Sequence, residues 1–149
     1  MRRSKLSKLQ EVFSNVRYAA RGNNRHNSRR KFVGLKLETR VLGEIAVVNL
    51  EGKLVYRDEA KALSEHVREL LDRRLSVVLN LGEVTAADGG GLGTLVACSK
   101  RAQNRGLAFK VCNLGPRLRE VFTLTNLDQV LDVHEDEEAA LEAFDVRAA

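Results

Sequence analysis

Leu75–Gly106, LSVVLNLGEVTAADGGGLGTLVACSKRAQNRG, is the stretch on which the fold reading turns. Val77–Leu81 (VVLNL) is a short apolar run rich in β-branched residues, the pattern of a strand buried on both faces. Gly82 to Ala87 reads as an exposed loop. Asp88 then precedes three glycines, Gly89–Gly91, and a helical pattern in which Leu92, Leu95, Val96 and Ala102 recur on one side, with Lys100, Arg101 and Arg105 on the other. The Asp88 carboxylate is suited to accept the orphan N–H groups of a first helical turn, and Gly106 is a natural stop. Strand, exposed loop and helix N-terminus is the place where open α/β sheets put their sites.

Working outward, the same alternation of strand and helix continues in both directions. Leu35–Leu42 (LKLETRVL) alternates apolar and polar as a half-exposed strand does, Gly43-Glu44 is a turn signal, and Ile45–Leu50 is a more buried strand, so the two form a hairpin. Glu51-Gly52-Lys53 turns again. Asp58 is placed to cap a helix running to about Arg74, with Leu63, Val67, Leu70 and Leu71 on its inner face. Downstream, Leu107–Cys112 is a strand, and Gly115-Pro116 starts a helix that faces Leu118, Val121 and Phe122 inward and ends near Asn126. Val130–Val133 is a last short strand. Asp136 starts a final helix whose Glu137 and Glu138 suit its positive end and whose inward anchors are Leu141 and Phe144. The order ββαβαβαβα predicts an α/β fold: a mainly parallel, mixed sheet flanked by helices, with an antiparallel first hairpin.

One chain of 149 residues with 44% hydrophobic content is one domain with an ample core, and it has no apolar run of the roughly 20 residues that a membrane span needs. Cys98 and Cys112 form no CxxC pair and fall in a helix and a strand, which predicts buried reduced thiols and a cytoplasmic setting. The net charge of +5 is unevenly spread. Residues 1–31 hold ten Lys/Arg against Glu11 alone, whereas residues 32–149 hold fifteen Lys/Arg against nineteen acids. Residues 1–34 are therefore read as a basic N-terminal tail and 35–149 as the domain. The domain itself is not expected to bind nucleic acid. Within the tail, residues 4–20 are weakly amphipathic and helical, and 21–31 (RGNNRHNSRRK) read as a disordered linker. Contact with an anionic membrane or nucleic acid is one reading of the tail; a solvated appendage, or an upstream extension of the reading frame, is the other.

Little catalytic chemistry is in view. His26, His66 and His134 lie on three different elements with no zinc spacing, no Ser or Cys nucleophile is visibly paired with a base, and no metal or cofactor is expected. The acids from Asp132 to Glu138 read as a solvated helix start. The DGGGLGT segment at 88–94 matches neither the Walker loop nor GxGxxG. The N–H groups of Gly89–Gly91 could cradle an anion, or the glycines could simply give the helix a tight, side-chain-free start.

Leu79-Asn80-Leu81, Val84, Asp88, Gly91-Leu92 and Leu95 resemble the strand–loop–helix signature of the STAS domain, a family that includes sulfate-transporter cytoplasmic domains and bacterial anti-sigma-factor antagonists. Arg105-Gly106, Asn113-Leu114, Val121–Leu127 and Glu138–Leu141 extend the likeness over roughly Leu35 to Phe144. The resemblance implies a binding module and not an enzyme. Its partner would be an anti-sigma factor, often a serine kinase, docked on Thr85, Asp88, Gly89, Gly90, Gly91 and Leu92. It also implies a departure: in switchable members the residue after the Asp is a phosphorylated Ser, and here that position is Gly89. No phosphorylation is expected there. A scaffold or adaptor subunit of a stress-signalling or membrane lipid-transport complex is the alternative function, and a nucleotide-binding module using the glycine loop is a third.

Overall fold

The structure, a computed structural model, describes residues 28–32, 34–55 and 57–144. Residues 1–27, and with them the amphipathic reading of 4–20 and His26, lie outside the described residues. Among the described residues six strands form one sheet in the order β1-β2-β3-β4-β5-β6: β1 Ser28–Phe32, β2 Leu35–Leu42, β3 Ile45–Leu54, β4 Ser76–Ala87, β5 Phe109–Cys112 and β6 Asp132–His134. β1, β2 and β3 are antiparallel, and β3 through β6 are parallel. The helices are α1 Arg57–Asp72, α2 Gly89–Asn104, α3 Pro116–Leu124, α4 Leu127–Val130 and α5 Glu137–Glu142.

The strand order explains the layers. Each parallel strand is laid beside its predecessor in one direction, and crossovers of a single hand then put their helices on one face. Leu63, Val67 and Leu71 of α1, Leu95 and Cys98 of α2 and Leu118 and Phe122 of α3 all join one large core against Leu37, Val48, Leu50, Val77, Leu79 and Val111 of the sheet. Among the described residues, the other face carries only a small second core, where Ala140 and Leu141 of α5 cover Leu42, Val47, Val78 and Cys112. His66, read as a packed or half-exposed histidine, is buried in the main core, its Nε2 at 2.7 Å from Thr39 Oγ1.

The architecture is the α/β mixed sheet expected, with several local corrections. Ser28–Phe32 falls in the stretch read as linker and tail, yet its backbone pairs with β2, Ser28 opposite Thr39 and Phe32 opposite Leu35. An edge strand needs a partner on one side only and tolerates charge, so its cationic composition hid it. Glu51-Gly52-Lys53 does not turn; β3 runs through it to Leu54. Gly52 takes φ +117°, and a Cβ there would lie 2.2 Å from Gly34 O, which accepts the Lys53 N–H at 2.7 Å. The predicted loop Gly82–Ala87 is likewise strand, because β4 follows this extension of β3 out to Leu54 opposite Ala87. α1 begins at Arg57, which puts Asp58 in the first turn and not at the cap, and it ends at Asp72 before Arg74 turns left-handed at φ 62°. The Val130–Val133 strand shifts to Asp132–His134 because Leu127–Val130 closes a short helical turn instead.

Candidate functional site

The site is built where β4 delivers the chain to α2. Asp88 has extended backbone (φ −106°, ψ −176°), and its Oδ1 accepts the Gly91 N–H at 2.9 Å. Its carbonyl accepts the Leu92 N–H at 2.9 Å, the first helical bond, while its own N–H donates to Leu54 O at 3.3 Å. Asp88 thus caps α2 as expected and ties the cap to the end of β3.

The three glycines do different things. Gly91 is buried against β3: a Cβ there would lie 2.1 Å from Leu54 O and 2.9 Å from Leu54 Cγ. It lets the first turn of α2 press on the sheet. Gly89 and Gly90 are exposed; a Cβ on Gly89 meets nothing within 4 Å, and on Gly90 only Asp88 Oδ1 at 3.4 Å. Neither is required by packing. Of the three N–H groups read as an anion cradle, that of Gly91 is taken by Asp88, and the carboxylate leaves a negative charge in the place an anion would occupy.

The other expected site residues spread out from this point. Thr85 stands exposed on the β4 extension where the pairing skips a residue, between Gly52 opposite Val84 and Lys53 opposite Ala86, and its Oγ1 donates to Gly52 O at 3.3 Å. Leu92 is half-buried and packs against the main core, so it supports the surface more than it lines it. Thr94 lies one turn into α2 and its hydroxyl donates back to Gly90 O at 2.9 Å. Thr85, Asp88, Gly89 and Gly90, the Asp88 strip, are each exposed, whereas Gly91 is buried and Leu92 half-buried.

Sequence reading missed a polar group on the second face of the sheet. Glu137 Oε1 accepts from Arg40 Nη2 at 2.6 Å, and its Oε2 accepts from Asn80 Nδ2 at 3.3 Å; Asn80 Oδ1 accepts the Gly82 N–H at 2.9 Å. An open cavity of about 420 Å³ beside it is lined by Lys36, Glu38, Asn49, Glu51, Asn80 and Asn113 among others. The alternation of Lys36, Glu38 and Arg40 marked a polar face, but the groups that complete it, Glu137 of α5 and Asn80 of β4, come from far away in the chain.

Both thiols are buried and unsuited to nucleophilic work. Burial pushes Cys98 up to about 11 against the lowering effect of Arg101, and burial, helped by Glu137 and Asp136, pushes Cys112 up to about 12. Among the described residues no three His, Cys, Asp or Glu side chains are grouped to hold a metal ion.

The STAS domain family model matches residues 36–140, an interval that takes in the whole Asp88 strip and most of both cores. The chain belongs to the STAS domain family. Its curated relatives include the anti-sigma-B factor antagonist of Bacillus subtilis (strain 168), 29% identical over 96 residues, which spans 64% of this chain and 86% of that protein. Among solved structures, an anti-sigma factor antagonist from Mycobacterium paratuberculosis superposes with a TM-score of 0.66 at 23% identity, covering 73% of this chain and 92% of that one. The Bacillus cell fate determinant SpoIIAA in its phosphorylated form gives 0.57 at 16% identity, covering 72% and 98%. At these identities the structures speak for the STAS fold. No helix among the described residues of this STAS protein is long and apolar enough to cross a membrane.

Proposed function

We propose that this STAS protein is an anti-sigma factor antagonist, a regulatory binding module that works in the cytoplasm and docks the Asp88 strip onto a serine-kinase-like anti-sigma factor. The observation that carries the reading is the pair Gly89 and Gly90. Glycine is a poor helix residue, and at these two positions no neighbour demands it. A bare first turn lets a partner approach the α2 backbone closely. Thr85 and Asp88 flank that surface, Leu92 holds it against the core and Gly91 sets its height. The names of the relatives point the same way: an anti-sigma-B factor antagonist at 29% identity shares most of its length with this chain.

The proposed regulation departs from that of a phosphorylated relative such as SpoIIAA. Gly89 offers no oxygen to take a phosphoryl group, so the protein acts as a permanently dephosphorylated partner. Binding titrations of Gly89→Asp against Gly89→Ala test the docking surface. The added carboxylate beside Asp88 brings repulsion and desolvation to the interface, while alanine controls for the Cβ. Aspartate is expected to weaken binding more; equal affinities for the two variants would place the partner elsewhere. Mass spectrometry after incubation with partner and ATP is expected to find no phosphate on residues 85–94, and a phosphate on Thr85 would overturn the permanent state.

The basic segment before Ser28 suggests a second contact, with anionic lipid. Flotation with anionic liposomes, comparing the full chain with one lacking residues 1–27 so that β1 is kept, is expected to separate the two; equal flotation removes the role.

A further inference from the structure

The two faces of the sheet are held to very different standards. One is covered by two 16-residue helices and by α3, over a core that contains most of the buried apolar side chains. Among the described residues, the other is covered by α5, six residues long, through Ala140, Leu141 and the partly buried Phe144. A helix of that length has no stability of its own in water and persists only through what it touches.

What α5 touches is limited. Asp136 Oδ1 caps it by accepting the Ala139 N–H at 2.8 Å. Glu137 pins it to the sheet through Arg40 and Asn80, with both charged side chains of the Arg40 pair partly open to solvent. Lys110 Nζ lies 5.0 Å from the Phe144 ring centroid, and Lys110 is itself paired with Asp132 at 2.5 Å. Beneath this strap lie Leu42, Val47, Val78 and the Cys112 thiol, all fully or almost fully buried. The other free thiol, Cys98, is buried in the main core on α2.

We propose that α5, from its Asp136 cap to Phe144, is a strap that opens locally: it lifts from the sheet while the main core stays folded, and so exposes Cys112 and the apolar patch of Leu42, Val47 and Val78. Regions with few buried contacts open at a lower free energy than the domain as a whole. The Arg40–Glu137 pair and the small second core set how often the strap lifts. The opening surface is on the opposite face from α1 and α2, so the inference does not depend on what docks at Asp88.

The two cysteines make the test internal to the full-length protein. Alkylation of each thiol is followed by peptide mass spectrometry across a urea series below and through unfolding. Cys112 is expected to react at least about tenfold faster than Cys98 below the transition, at a rate nearly independent of urea. Arg40→Ala removes the pin but leaves the Glu137 carboxylate in place, so a faster reaction cannot come from easier ionisation of the thiol. It is expected to speed Cys112 by about tenfold, the loss of a partly exposed charge-assisted hydrogen bond, while the Cys112 rate stays nearly independent of urea. Leu141→Val, which loosens the apolar anchor without touching any charge, is expected to speed Cys112 in the same urea-independent way. The proposal is overturned if Cys112 becomes reactive only together with Cys98 in the unfolding transition, or if neither variant speeds Cys112 below it.

Discussion

Replacing Gly91 by alanine tests the close approach on which the whole site is built. The added Cβ would stand 2.1 Å from Leu54 O and 2.9 Å from Leu54 Cγ, where ordinary contact begins near 3.4 Å. Leu54 O is backbone in a strand paired to β4, so it cannot rotate away, and it also accepts the Asp88 N–H. Relief requires α2 to lift by about an ångström at its start, which strains the Asp88 cap and the packing of Leu92 and Leu95. Overpacking of this kind costs about 1–3 kcal/mol, and the backbone contact places it in the upper half of that range. Alanine's better helix propensity, worth up to about 1 kcal/mol in a helix interior, offsets part of this. The net expectation is a loss of about 1–2 kcal/mol, or roughly 4–10 °C in melting temperature for a domain of this size. Gly89→Ala is the control: it gains the same propensity, meets nothing, and should be neutral or slightly stabilising. The assay is urea unfolding of the three proteins side by side, followed by circular dichroism. If Gly91→Ala were as stable as Gly89→Ala, α2 would not press on Leu54 and the explanation of the glycine cluster would fail.

Two further outcomes follow from the packing. Leu95→Ala removes a side chain that is 1% exposed in the main core, and is expected to lower stability by about 2–5 kcal/mol; an unchanged denaturation midpoint would mean that Leu95 faces away from the sheet. Stability should also fall in alkali. The folded protein holds the Cys98 and Cys112 protons more tightly than the usual 9.0 of a free thiol, so their contribution is complete below that pH, declines as pH rises past it, and is lost by about 11 and about 12 respectively. Urea midpoints at pH 7, 9 and 10 should drop across the last interval, and less so in Cys112→Ala; an equal drop in that variant would assign the effect to other groups.

The elements most legible in the sequence are those whose signals are local. Asp88 before a helical pattern, Pro116 at a first turn and Asp136 before Glu137 and Glu138 all cap or start the helices expected of them, because a cap bonds to residues two or three positions away. The period-two alternation of Leu35–Leu42 and the apolar run at Val77–Leu81 likewise report burial directly. The misreadings share the opposite property. Glu51-Gly52-Lys53 looks like a turn until Gly34 O supplies a partner for Lys53, and Gly82–Ala87 looks like a loop until β3 continues alongside it. Ser28–Phe32 carries no strand signal of its own; pairing with β2 makes it one.

The glycine cluster marks the division most clearly. The sequence by itself determined that a strand, a capping Asp88 and a helix meet there, since alternation, helical period and capping chemistry are short-range. It also determined that no hydroxyl follows Asp88. Gly89, Gly90 and Gly91 are chemically identical and adjacent, so no side-chain chemistry says which of them is packed. Only the tertiary structure decides that Gly91 is held within contact of Leu54 while Gly89 and Gly90 face solvent, because that difference lies in the distance to a backbone carbonyl more than thirty residues away.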